Sequence, residues 1–204
     1  MIDKALEFLT DEINNYLTLQ MGPNPSNSSW IVLSNVAAED GTWAIPNDTL
    51  GLSLINIEEE RVFKDQQTAF RKPNGDIEHY NPEIKLNLYI LISARFISND
   101  GSISMTNNFQ YSEGLKQLSS VISFFQGKNV FTTDDSPALD TAIKKLVIEL
   151  YSYSFEQQYN FWTVIGAKYL PSVLYKVRML TYQEKKVLDQ QVPIVTTDIE
   201  LSNI

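Results

Sequence analysis

Residues 84–96, IKLNLYILISARF, constrain this chain more than any other stretch. Ile84, Leu86, Leu88, Ile90, Ile92, Ala94 and Phe96 alternate with Lys85, Asn87, Tyr89, Ser93 and Arg95. Successive side chains of an extended strand point to opposite faces, so a period of two lines one face with apolar groups. A run this long predicts a central strand of a sheet with one well-packed face.

Other segments share that period. WIVLSNV (30–36) and NVFTT (129–133) read as short strands. From residue 50, Leu50, Leu52 and Leu54 share a side, then Ile55 and Ile57 take the other. That change of parity predicts a β-bulge or a strand covered on both faces. Residues 143–153 alternate through Leu146, Ile148 and Leu150. In residues 172–180, Val173, Tyr175, Val177 and Met179 face one way, Lys176 and Arg178 the other. The polar insert 64–83, with KPNGD in it, reads as a hairpin loop. NDGS (99–102) reads as a turn, and VPIVTTDIELSNI, after Gln191, as a loose strand behind a proline.

Three segments have helical spacing instead. Ile2, Ala5, Leu6, Leu9, Ile13, Tyr16 and Leu17 line one helical face, and GPNPSNSS (22–29) ends that helix. A second helix over about 108–126 puts Tyr111, Leu115, Leu118, Val121, Ile122 and Phe125 on one face, with Gly127 as its C-cap. The third opens YNFWTVIGAKYLPSVLYKVRML (159–180). Ser154 and Gln157 have the spacing of a capping box, Gly166 stops the helix, and Pro171 forbids its continuation.

This order predicts a single α+β domain: a largely antiparallel or mixed sheet with about three helices packed on it, on one face. The domain is expected to span residues 1–182, with 183–204 as a tail. The chain has 204 residues, 43% of them apolar, enough to build a core without disulfides, and it has no cysteine.

Its net charge of −9 argues against nucleic acid and anionic membrane surfaces as partners, because both are bound through lysine and arginine. The longest apolar runs, such as LYILI (88–92), fall far short of the ~20 residues that span a bilayer, so no membrane insertion is expected. MIDKALEFLTDEI carries acidic residues within its apolar pattern, which reads as neither a secretory signal nor a transit peptide. A soluble, cytoplasmic chain is the expectation.

The residues point to no chemistry. His79 is the one histidine and lies in the polar insert, away from any recognisable nucleophile or ligand partner. Glu58, Glu59 and Glu60 form a run, and Asp134 and Asp135 a pair; both read as solvated edges or turns. Phosphate-loop, dinucleotide and EF-hand spacings do not occur. No catalytic, cofactor-binding or metal-binding residue is assigned, and the chain is not expected to be an enzyme.

The remaining signal is aromatic. Core packing accounts for most of these rings, and a subunit interface for the excess. Phe125, Phe131, Trp162, Tyr169 and Tyr175, with Lys176 and Arg178, are the candidates for a frame or interface. Lys176 and Arg178 either meet acidic groups of a neighbour or face solvent.

INIEEE (55–60), NLYIL (87–91), the Tyr111–Leu115–Leu118 helix leading to FFQGKNVF (124–131), and Trp162, Gly166, Tyr169, Pro171, Ser172, Tyr175, Val177 and Arg178 occur in that order. Over about residues 1–182 the chain thereby resembles the terminator or cap proteins of extracellular contractile injection systems, of the antifeeding-prophage and virulence-cassette type. The resemblance implies a phage tail-terminator-like fold without catalytic residues or cofactor. It implies a homo-oligomer, a hexameric ring that caps the inner tube, ends tube polymerisation and anchors the last sheath ring. Tube and sheath proteins are then the partners, in a particle assembled in the cytoplasm and either released or membrane-anchored. Residues past Gln191 do not align with the family pattern; Ile194, Thr196 and their successors are expected to add as a strand to a neighbouring sheet. Two other readings stay open: another ring or adaptor component of a phage-like tail, and a small ligand-binding module or hydrolase.

Overall fold

The alternating run becomes the third strand of a six-stranded mixed sheet. The computed structural model describes residues 1–60, 69–71, 76–79, 85–96, 105–181 and 189–191. In chain order these form α1 (Ile2–Met21), β1 (Ile31–Leu33), β2 (Thr49–Glu59), β3 (Ala69–Arg71), β4 (Ile77–His79) and β5 (Lys85–Arg95). Then follow α2 (Met105–Gly127), β6 (Val130–Thr132), β7 (Ile143–Leu150), α3 (Phe155–Ile165), β8 (Ser172–Thr181) and β9 (Asp189–Gln191). The main sheet runs β1-β2-β5-β8-β7-β6, and a three-stranded sheet runs β3-β4-β9. Only β1 and β2 pair in parallel; the other pairs are antiparallel.

β5 is buried on both faces, not on one. Leu88, Ile90 and Ile92 join the core beneath α1 and α2. Leu91, on the opposite face, joins a second cluster with Val36, Ile45, Trp162, Leu170 and Leu174. The helices are therefore split: α1 and α2 cover one face and α3 the other. Leu91 and Leu174 stand on the face that a single layer of helices would leave wet. Burying each contributes roughly 1.5–3 kcal/mol, which is why a second cover forms.

The parity change in β2 is a bulge, with the register to β5 shifting between Leu54 and Asn56. α1 is stitched to the sheet by Asn14, whose side chain donates to the Ile31 carbonyl (2.8 Å). Asn14 also accepts from the backbone N–H groups of Trp30 (2.8 Å) and Ile31 (3.0 Å). One half-buried amide thereby places the first strand against the first helix.

α2 packs through Leu118, Val121 and Phe125 of the face its apolar spacing marks, but is turned away from Tyr111 and Leu115. Gly114, Gln117, Leu118, Val121, Phe124 and Phe125 are buried, while Tyr111 and Leu115 are exposed. Gly114 is the cause. A Cβ on it would lie 2.8 Å from the Phe96 ring, so the helix approaches the end of β5 along its glycine and turns Tyr111 and Leu115 outward.

Within the insert β3 and β4 pair as the hairpin its pattern predicts, and His79 stands on a strand, opposite Ala69 and Asp189. The KPNGD turn is described only at Asp76, and NDGS and residues 192–204 lie outside the described residues. Asp189–Gln191, within the expected tail, pairs with β4 of the same chain.

Phe131 sits at the centre of the larger core, fully buried, edge-on to Phe8 at 5.4 Å and near Phe124 at 6.2 Å. Phe131→Ala is expected to cost about 3–5 kcal/mol. Leu115→Ala, on the outward face of α2, should stay within about 0.5 kcal/mol of the parent. Urea unfolding of the two variants checks both the core and the rotation of α2.

Candidate interaction surface

α3 forms because its ends are specified locally. Ser154 Oγ accepts from the Gln157 N–H (3.2 Å), and Gln157 Oε1 accepts from the Ser154 N–H (2.9 Å). This reciprocal box satisfies two donors that the first turn leaves open. Gly166 closes the helix in the left-handed region, at φ 71°, its N–H reaching the Trp162 and Thr163 carbonyls. A side chain is strained there, and glycine is not.

Within these eleven residues Trp162 is the one buried residue. It drops onto Leu91 and Leu174 of the sheet and onto Leu170 of the following loop. Around it runs a row of rings. Tyr153 meets Phe161 edge-on at 5.2 Å, Phe161 lies 5.8 Å from Trp162, and Trp162 meets Tyr169 edge-on at 5.5 Å. The rest of α3 presents apolar groups to the outside: Phe155 is 90% exposed, Val164 88% and Tyr159 72%. Phe155 and Tyr159 are one turn apart and share a face. A helix that buries one tryptophan while offering two exposed rings is a candidate contact element, since clustered exposed apolar groups mark interaction sites.

The seven residues singled out from the sequence divide accordingly. Phe125, Phe131, Trp162 and Tyr175 are core; they hold the frame and offer no outer surface. Tyr169 is 59% exposed beside Trp162. Lys176 is half-buried, opposite Tyr89 and Glu149 in the sheet register. Arg178 forms an ion pair with Glu149 of the same chain, so its carboxylate partner is internal. Phe155, Tyr159 and Val164 were not among the candidates, although the helical spacing of apolar residues beyond Trp162 is legible in the sequence. Asn14 was missed as well, because an asparagine in a polar helical stripe carries no sign of its partner strand.

Two phenols on the sheet are perturbed. Tyr175, 4.8 Å from Phe125 and without a hydrogen-bond partner for its hydroxyl, is pushed up to about 12 by burial. Tyr89 is pushed up to about 12 by burial and then by its hydrogen bond to Glu58 (2.9 Å). Along α1 a groove of about 1030 Å³ carries Glu7, Asp11, Glu12 and Asp140, with Lys4 bound to Glu7 at 2.9 Å. Among the described residues no group of three or more potential metal ligands comes together. Among the same residues no helix is long and apolar enough to cross a membrane.

A family model described as the Pvc16 N-terminal domain matches residues 5–196. No curated protein matches. Among solved structures, the anti-feeding prophage cap, a tube terminating cap, superposes with a TM-score of 0.53 at 12% identity, over 95% of this chain and 60% of that one. The PVC sheath/tube terminator of an extracellular contractile injection system, in its extended state, gives a TM-score of 0.49 at 12% identity, over 95% of this chain and 64% of the other. The chain thus spans less than two thirds of either solved chain.

Two measurements test this frame. Trp162→Ala is expected to cost roughly 3–5 kcal/mol. Trp162→Phe should cost clearly less, because the indole N–H has no acceptor to lose. Equal losses in urea unfolding would contradict the packing described. The second measurement concerns pH. Both phenols hold their protons more tightly when folded than near the unfolded value of about 10. Their contribution is complete below pH 10 and is lost as pH rises through about 12. Tyr175→Phe should reduce that alkaline decline in unfolding free energy, leaving the part due to Tyr89.

Proposed function

The chain belongs to the Pvc16 N-terminal domain family, and on that footing we propose that it is a structural cap of a phage-tail-like contractile injection system. Copies of it form a ring, six to a turn, on the distal end of the inner tube. The ring leaves no free surface for the next tube ring and gives the last sheath ring its anchor. The role is mechanical and non-enzymatic. Assembly takes place in the cytoplasm, before the particle is released or anchored.

The reading rests on the family match across residues 5–196. The fold shared with a tube terminating cap supports it, and so does α3. A ring needs contacts beyond those its own core consumes, and Phe155, Tyr159 and Val164 are apolar groups that the core leaves outside. Helix α3 and strand β8, their angle held by the Gly166–Pro171 connection, are the frame that carries this surface toward a neighbouring copy. Residues 192–204 reach a sheath or cap neighbour by adding a strand.

Light scattering of the purified chain, alone and with tube protein, decides the matter. Six copies of a 23.3 kDa chain give a particle of about 140 kDa. The expected outcome is that mass, either free or on addition of tube protein. A monomer that ignores tube protein would overturn the cap reading. The double variant Phe155→Ser and Tyr159→Ser should lose the ring while its monomer melts within a few degrees of the parent, because neither ring is part of the core. A truncation lacking 192–204 should form the ring and hold sheath more weakly; unchanged sheath attachment counts against the strand-adding tail.

A further inference from the structure

A ring sets a condition on its own contacts. More than two copies close into a ring through a head-to-tail interface, in which one patch of each copy meets a different patch of the next. The outward side of α3 is one such patch, and its chemistry says what the other has to carry. Glu156 is the only charged residue of α3. It is exposed, lies one turn before Tyr159 on the helix surface, and forms no ion pair among the described residues. α3 therefore offers two rings with a carboxylate beside them. The chain has a net charge of −9, so copies repel one another unless a cation receives that carboxylate. The receiving patch has to be apolar and basic.

Several cations are already held within the chain: Arg178 by Glu149, Lys4 by Glu7 and Lys116 by Glu113. Arg95, at the end of β5, is not. It is half-buried, and no carboxylate pairs with it among the described residues. Its Nη1 donates to the Ile45 carbonyl, and its guanidinium stands 5.8 Å from the centre of the Trp43 ring. Nε is enclosed without an acceptor, whereas Nη2 is not enclosed and makes no hydrogen bond among the described residues. The accessible end of the side chain is thus the open one. An exposed lysine such as Lys168 gains little from an ion pair, and a half-desolvated arginine gains more. Arginine and tryptophan are also the residues on which interfaces most depend. Asp40, in the same loop as Trp43, is taken up by the N–H (2.9 Å) and hydroxyl (2.6 Å) of Thr42.

The two patches belong to different parts of the sheet. Ile45 packs on Gly51, where an added Cβ would run into its side chain, so the Trp43 loop lies over β2. α3 leaves from β7, on the other side of the strand order β1-β2-β5-β8-β7-β6.

We propose that in the ring α3 of one copy docks on the Trp43–Arg95 patch of the next, with Glu156 pairing with Arg95 and the two rings of α3 lying against Trp43. The inference rests on the ring reading and names the surface that closes it.

Reversing one charge at a time tests the contact. Glu156→Arg sets two cations against each other at every interface, and Arg95→Glu two carboxylates. Each variant is expected to run as a monomer in light scattering under the conditions where the parent forms its ring. An equimolar mixture of the two should restore the ring, because alternating copies in an even ring oppose an acid to a cation at every contact. Glu156 is exposed, so Glu156→Arg should melt within a few degrees of the parent. Arg95→Met keeps an apolar stem beside Trp43 and serves where Arg95→Glu fails to fold. It should raise the concentration of half-dissociation about tenfold or more and remove part of the ring's sensitivity to salt. A ring that survives Glu156→Arg, an Arg95→Met ring as tight as the parent's, or two folded charge variants that stay monomeric when mixed would each overturn this contact and leave the cap reading standing. A parent chain that forms no ring, with or without tube protein, overturns the cap reading and the contact with it.

Discussion

The structure depends on one strand having to be dry on both sides. β5 sits between β2 and β8, and its residues from Ile90 to Ala94 are apolar or small, and buried, on both parities. An antiparallel sheet can leave one face wet only if that face is polar. Here Leu91, with Leu174 beside it on β8, forbids that. α1 and α2 supply one cover, and α3 with residues 36–45 supplies the other. The two covers are unequal. The first is a broad core reaching from Leu6 to Met179, and the second is a small cluster closed by one tryptophan.

That inequality links packing to assembly. A helix seated mainly by Trp162, with Phe161 and Ile165 packed beside it, presents most of its surface outward, and on α3 Phe155, Tyr159 and Val164 stand exposed there among polar residues. Ser154, Gln157 and Gly166 fix where the helix begins and ends, so the exposed rings are held on a rigid element. Sites on rigid elements are placed more accurately than sites on loops. Around Trp162 the same residues serve both tasks: one face of the ring row packs the sheet, and Tyr169 at its end is open. At the same level of the sheet Tyr89 donates to Glu58 and Arg178 pairs with Glu149, both within the chain.

Several elements were legible because their signals are local. The parity change at Leu54–Ile55 is a bulge, the Ser154 and Gln157 spacing is a capping box, and the alternation of residues 84–96 is a central strand. Others were not, because their cause lies in a distant residue. The buried face of α2 is turned by the contact of Gly114 with Phe96, which no periodicity records. Arg178 looked available to a neighbour, but it reaches diagonally to Glu149 on β7, which the sheet brings beside it. Asn14 gives no hint that its amide will pair with Trp30 and Ile31.

The sequence by itself determined which segments are helix or strand, that the longest alternating run lies mid-sheet, and that the chain resembles a family of caps. The first two follow from spacing along the chain, where near neighbours decide. Only the tertiary structure decided on which face each helix lies, and which aromatics are core and which are open. Those are properties of surfaces made by residues tens of positions apart, and they exist only once the sheet has brought them together.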